Sequence, residues 1–179
     1  MNKIILIGLI GKEGSGRALV ADYLVIKHGF VKCSFENFIK HILLMAKMCN
    51  VNELFVEKTF YSRWLILKLR EILREYIDKN YLVRKMLAKI GELLSHGYKK
   101  IVIEDIRFEN EAELIKLFNG KLVKIIRTFP FPSTTHFSSV EKFIDTLPYD
   151  YILENRPKLE DLCMQIEDLL LSIYSGGIK

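Results

Sequence analysis

Four of the ten glycines crowd into one short stretch near the start of the chain, at Gly8, Gly11, Gly14 and Gly16, directly behind Ile4-Ile5-Leu6-Ile7. An apolar run without alternation predicts a strand buried on both faces, over residues 3–7. Behind the glycines, residues 17–28 place Leu19, Val20, Leu24 and Val25 at helical spacing, and Gly29 supplies a stop. Strand, glycine loop and helix in that order leave few folds open. The glycines let backbone N–H groups curl round an anion, and the helix aims its positive dipole end at the same point.

The loop reads Gly11-Lys12-Glu13-Gly14-Ser15-Gly16-Arg17-Ala18, the GxxxxGK[ST] spacing of a Walker A phosphate loop up to its last two positions. Gly11, Lys12, Gly14, Ser15, Gly16, Arg17 and Ala18 are therefore the candidate phosphate-binding residues. Arg17 stands where the lysine is expected, and its larger planar head cannot act as a compact point charge on terminal phosphates. Ala18 stands where a hydroxyl would ligate Mg2+, and Leu19 supplies none. The same turn would also close a strand–helix unit without any ligand. The order of the elements favours the anion.

Between Phe30 and Ile90 there is neither Gly nor Pro, which predicts a largely helical stretch, with helices over 36–48, 62–78 and 81–96. Further strands are read at 31–35, 101–103, 121–126 and 149–153, and further helices at 109–118 and 158–172. Residues 128–139, with Pro130 and Pro132, read as a loop. Strands alternating with helices predict an α/β fold: three layers, α/β/α, with a mostly parallel sheet of about five strands. The whole chain, 1–179, is expected to be one domain carrying 36–98 as a mainly helical insertion.

Half of the residues are hydrophobic, enough for a sizeable core. The first apolar run is too short to span a membrane and lacks the exit of a signal peptide, so an intracellular, cytoplasmic protein without a membrane partner is expected. Cys33, Cys49 and Cys163 show no metal or redox spacing and read as buried thiols. Residues 58–100 hold eleven Lys or Arg against Glu71, Glu75, Asp78 and Glu92, whereas the whole chain carries only +5. Such a local excess fits an anionic ligand, nucleotide or nucleic acid, and equally a solvated helix face.

Asp105 and Arg107 follow the strand at 101–103. The carboxyl ends of parallel strands face the ligand crevice, so Asp105 can hold Mg2+ through water and Arg107 can reach a phosphate. A helix cap with a local ion pair would use the same residues. Arg63, Arg70 and Arg74 share one helix face and could neutralise a phosphoryl group, although solvated faces look alike. Trp64, Leu65, Leu67 and Leu69 read as core. His28, His41, His96 and His136 are scattered and build no hydrolytic triad.

Taken together, these blocks resemble the deoxynucleoside monophosphate kinases of phages and large DNA viruses, enzymes of the P-loop NTPase type. Residues 11–24 look like the family's phosphate loop and first helix. Arg63-Trp64-Leu65 through Arg74 to Leu82-Val83 looks like its central helical segment, where Leu65-Ile66 and Arg70-Glu71 stand in place of Leu-Gln and Gly-Thr pairs. Asp105-Ile106-Arg107-Phe108-Glu109-Asn110-Glu111 resembles its Asp-x-Arg-Phe-x-Asn-Glu block, and His136 to Glu141 its short His-x-Ser-Glu segment. Ile125-Ile126-Arg127 and Tyr151 to Asn155 resemble the last strands, which implies adenine-side roles for Arg127 and Asn155.

The resemblance implies transfer of the γ-phosphoryl group of ATP to a deoxynucleoside monophosphate with Mg2+. Arg17, Asp105, Arg107 and Arg74 would be catalytic, and Arg63, Arg70 and Arg74 would serve the lid or acceptor phosphate within an NMP-binding region. It further implies a homodimer, and the host cytoplasm if the source is a virus. The departures at Arg17, Ala18, Leu19, Ile66, Arg70 and Glu71 cluster on the chemistry. Three functions therefore stand side by side: a working kinase, an inactive kinase homologue that binds a protein or nucleic-acid partner, and a nucleic-acid binder using the 58–100 surface.

Overall fold

The long apolar runs become strands because parallel pairing buries both of their faces. In the computed structural model, which describes residues 4–57, 59–130 and 144–175, the first run forms β1 (Ile5–Ile10), buried at every position. The other strands are β2 (Val31–Cys33), β3 (Lys100–Ile106), β4 (Lys121–Arg127) and β5 (Tyr151–Asn155). They form one five-stranded sheet in the order β2-β3-β1-β4-β5. β1 runs parallel to β3 and β4, and β4 parallel to β5.

The chain divides into two compact units, one of residues 1–32 with 98–179 and one of residues 33–97. In the first, three helices sandwich the sheet: α1 (Arg17–His28), α5 (Glu109–Leu117) and α6 (Leu159–Tyr174). Ile5, Ile7 and Leu9 of β1 meet Val20 and Leu24 of α1 and Leu162, Ile166 and Leu170 of α6 on one face. On the other face α5 comes so close that a Cβ at Gly8 would lie 2.8 Å from Ile115 Cγ1. Burying each Leu, Ile or Val contributes roughly 1.5–3 kcal/mol, so this two-faced core dominates stability.

The second unit is helical: α2 (Phe35–Met45), α3 (Phe60–Ile72) and α4 (Tyr81–Ser95). Ser34 caps α2 by accepting from Glu36 N at 3.1 Å, and Thr59 caps α3 by accepting from Ser62 N at 3.2 Å. Phe35, Ile39 and Leu43, Leu65 and Ile66, and Leu82, Met86 and Ile90 are its buried stripes.

Several boundaries differ from the sequence reading. β1 continues to Ile10 and β3 to Ile106, so Asp105 lies inside a strand rather than after it. β3 also carries one extra residue there, because Gly8 faces Ile103 while Ile10 faces Ile106. Such a bulge bends a strand and redirects the side chains it holds. The helix expected over 62–78 gives way at Leu73–Ile77 to a π-helical turn, closed by Asp78 N to Leu73 O at 2.8 Å. A second π-helical turn, Asn52–Val56, was not expected. Trp64 is not core: it is 38% exposed and stacks on Tyr61. Cys33 and Cys49 are buried thiols, but Cys163 is only half-buried. No helix among the described residues is long and apolar enough to cross a membrane. The expected His136 to Glu141 segment lies outside the described residues.

Candidate functional site

The glycine loop joins the end of β1 to the start of α1. Gly14 and Gly16 adopt φ of 75° and 107°, left-handed values that L side chains rarely adopt. These two reversals bend the loop back on itself, with Ser15 N donating to Lys12 O at 3.1 Å. Gly11 is needed for space: a Cβ there would strike Ser15 Oγ and approach Ile125 O to 2.8 Å. Arg17 opens α1, so the first-turn N–H groups of Arg17, Ala18 and Leu19 have no partner within the helix. The Ser15 hydroxyl is buried without a hydrogen bond among the described residues. The loop thus combines oriented amides, a helix dipole and an unsatisfied hydroxyl, the makings of an anion site.

Two side chains from neighbouring strand ends brace this loop. Arg127 Nη1 donates to Gly14 O at 2.8 Å, and Asn155 Nδ2 donates to Ser15 O at 2.9 Å. The Arg127 guanidinium also lies 3.8 Å from the centre of the Phe129 ring. With Arg17, Leu19, Pro157 and Leu159 these residues line a groove of about 570 Å³ beside the loop. A second hollow of about 340 Å³ lies between the loop, β4 and Ile144-Asp145. There Lys12 Nζ meets Asp145 Oδ2 at 2.7 Å, and Lys124 approaches the same carboxylate at 3.7 Å. The Lys12 ammonium, with Lys124 behind it, holds the Asp145 carboxyl below the usual carboxylate range. Lys12, expected on a phosphate, is therefore tied to a carboxylate that spacing in the sequence could not reveal.

Asp105 is buried at 4% exposure on β3, beside the strand that feeds the loop. Arg107 follows, half-buried, and its backbone N–H donates to Glu111 Oε2 at 2.8 Å, with Phe108 N donating to the same oxygen at 3.3 Å. Glu111 is fully buried and caps the start of α5, an acidic partner for the positive end of that helix. The motif Asp-x-Arg-Phe-x-Asn-Glu therefore contains its own brace: Glu111 fixes the turn that Arg107 sits on.

The remaining candidates belong to the helical unit and do not form one solvent-facing row. Arg70 is 2% exposed, packed over the Phe35 ring at 5.8 Å, whereas Arg63 is half-buried. Arg74 falls in the π-helical turn, half-buried, and its Nη1 donates to Lys79 O at 3.3 Å. Lys40, also buried, lies 4.9 Å from the Phe55 ring and 4.0 Å from Glu36. Sequence reasoning missed it, because a lysine on an amphipathic helix ordinarily faces solvent.

A scan against models of known protein families returned no match. A protein of Acanthamoeba polyphaga mimivirus named as a deoxynucleotide monophosphate kinase is 30% identical over 183 residues, spanning 91% of this chain and 94% of its own. The chain belongs to the deoxynucleotide monophosphate kinase family. Solved structures share its fold at low identity. Dephospho-CoA kinase from Campylobacter jejuni has a TM-score of 0.55 and 15% identity, covering 96% of this chain and 98% of its own. Shikimate kinase from Bacteroides thetaiotaomicron has a TM-score of 0.54 and 15% identity, covering 96% and 99%. For this deoxynucleotide monophosphate kinase family member the fold is thus the three-layer P-loop kinase type.

The residues fit the two expected groups unequally. For a nucleotide triphosphate the loop amides, the Ser15 hydroxyl and the adjoining groove form a matching cradle. For Mg2+ the fit is thin: Ala18 and Leu19 bring no hydroxyl, and no cluster of three acidic, His or Cys side chains occurs among the described residues. Asp105, buried on β3, is the carboxylate that would hold the ion, through water.

Proposed function

We propose that this chain binds ATP at residues 11–18 and transfers its γ-phosphoryl group to a deoxynucleoside monophosphate. The observation that carries the reading is the loop itself, with Gly14 and Gly16 both left-handed between β1 and α1. Family membership supplies the acceptor class. The triphosphate is assigned to the loop amides and Arg17, and the adenosine end to the groove with Phe129, Pro157 and Leu159. Asp105 would hold Mg2+ through water, and the ion would supply neutralisation of phosphate charge. Arg107 is assigned to phosphate charge, and Arg63, Arg70 and Arg74 to the lid and acceptor phosphate. In the transfer an acceptor phosphate oxygen forms the new P–O bond while the γ-phosphorus separates from its bridging oxygen, leaving ADP and the deoxynucleoside diphosphate.

Such a reaction needs positioning and charge neutralisation rather than covalent help, which is why the loop matters most. The exposed Ala18 and Leu19 at the head of α1 favour a second reading, an inactive homologue that keeps nucleotide affinity. Calorimetric titration with ATP and each deoxynucleoside monophosphate, with and without Mg2+, tests binding, and ADP formation tests turnover. Asp105→Asn is expected to slow turnover about a hundredfold. ATP binding without turnover on any common acceptor would leave only the inactive homologue.

A further inference from the structure

We infer that Arg127 and Asn155, besides walling the groove assigned to the adenosine end, act chiefly on the phosphate loop: they are positioning residues that aim its amides. The inference rests on reading the loop as a nucleotide-phosphate site. Arg127 and Asn155 are register partners, facing each other across the ends of β4 and β5. From there they hold consecutive carbonyls, Gly14 O at 2.8 Å and Ser15 O at 2.9 Å. A peptide unit is planar and trans, so a carbonyl and the following N–H point in opposite directions. Fixing Gly14 O therefore orients the Ser15 N–H, which meets Lys12 O at 3.1 Å. Fixing Ser15 O turns the Gly16 N–H away from Asn155, at the point where the loop enters α1.

The packing leaves no room for a base between Asn155 and the loop. Gly16 sits against Asn155 so closely that a Cβ would lie 2.5 Å from Asn155 Nδ2. Asn155 is 6% exposed, and its own carbonyl accepts from Thr128 N at 3.1 Å, which ties the brace to the chain beyond β4. Phe129 covers one face of the Arg127 guanidinium. Because an unbraced glycine loop samples many conformations, holding these carbonyls lowers the ordering cost of binding phosphate.

The test is calorimetric titration of wild type, Asn155→Asp and Arg127→Lys with tripolyphosphate, ATP and GTP, each protein's melting temperature being recorded. Asn155→Asp keeps the shape but sets an acceptor against Ser15 O and adds a negative charge, so the neutral Asn155→Ser is titrated beside it. Each is expected to weaken tripolyphosphate, ATP and GTP by one common factor of about tenfold or more, a change that lost stability alone would not produce in the folded protein. Arg127→Lys retains a donor and is expected to lose less. Should Asn155→Asp fail to fold, Asn155→Ser alone carries that expectation. Weaker ATP binding with tripolyphosphate affinity intact would overturn the inference in favour of a base contact, and unchanged binding of all three would overturn it outright. If wild type binds neither ATP nor tripolyphosphate, the nucleotide reading itself falls and takes this inference with it.

Discussion

Truncating Glu111 to Ala removes an acceptor that two backbone donors share. Its Oε2 lies 2.8 Å from Arg107 N and 3.3 Å from Phe108 N, and the side chain is 0% exposed. Each buried donor left unsatisfied costs about 1–3 kcal/mol, so the pair puts the loss at about 2–6 kcal/mol. The longer bond is the weaker one, and both donors lie in half-buried residues that water can reach in part, which places the expected value near 3 kcal/mol. For a chain of this size about 1 kcal/mol shifts the melting temperature by roughly 2–4 °C, so a fall of about 6–12 °C follows. Glu111→Gln keeps an oxygen of the same shape without the charge and is expected to cost about half as much. Urea unfolding followed by circular dichroism, alongside scanning calorimetry, reads both. A loss below about 1 kcal/mol for Ala, or a larger loss for Gln than for Ala, would refute the claim that Glu111 caps this turn.

Restoring the loop by Arg17→Lys with Ala18→Thr is expected to raise the rate of ADP formation about a hundredfold or more, and no change would show that these positions do not limit transfer. Gly16→Ala forces an L residue to φ 107° against Asn155, so a stability loss of about 1–3 kcal/mol is expected, with a clear fall in ATP affinity by calorimetry. Tyr23 donates to Glu167 Oε1 at 2.7 Å, and that bond, with some burial and the carboxylate charge, pushes its pKa up to about 12 from 10.0. The unfolded chain then releases this proton first, so the contribution is intact below pH 10 and fades between pH 10 and 12. Tyr23→Phe should flatten that part of the stability–pH curve measured by urea unfolding, and an unchanged slope would count against the bond. Glu167 also accepts from Tyr23 and contacts His28 at 2.9 Å, which holds its carboxyl below the usual range. Its contribution is accordingly lost as acid titrates it, and Glu167→Gln should remove that acid-side slope.

The loop was legible because its chemistry is local: glycine spacing, a strand before and a helix after are all written within one stretch of chain. Sheet class was legible for a similar reason, since apolar runs and helical spacing alternate. The ends of strands were not, because β1 and β3 are extended by their pairing partners rather than by their own composition. Arg127 and Asn155 could be named as site residues, yet their partners, the Gly14 and Ser15 carbonyls, lie more than a hundred positions away in the chain. No spacing rule connects them. The π-helical turn at Leu73–Ile77 was not legible either, because it changes the repeat without any Gly or Pro to announce it. Trp64 looked like core because large apolar residues usually are, but it uses Tyr61 for cover instead.

The extra residue in β3 makes the length of this strand a functional quantity. Over the span in which β1 advances from Gly8 to Ile10, β3 advances from Ile103 to Ile106. With that residue removed, β3 would pair with β1 one for one, and the bend that redirects the side chains between Ile103 and Ile106 would be lost. The carboxylate at 105 and the Glu111-capped turn are thus phased against the loop by a single count.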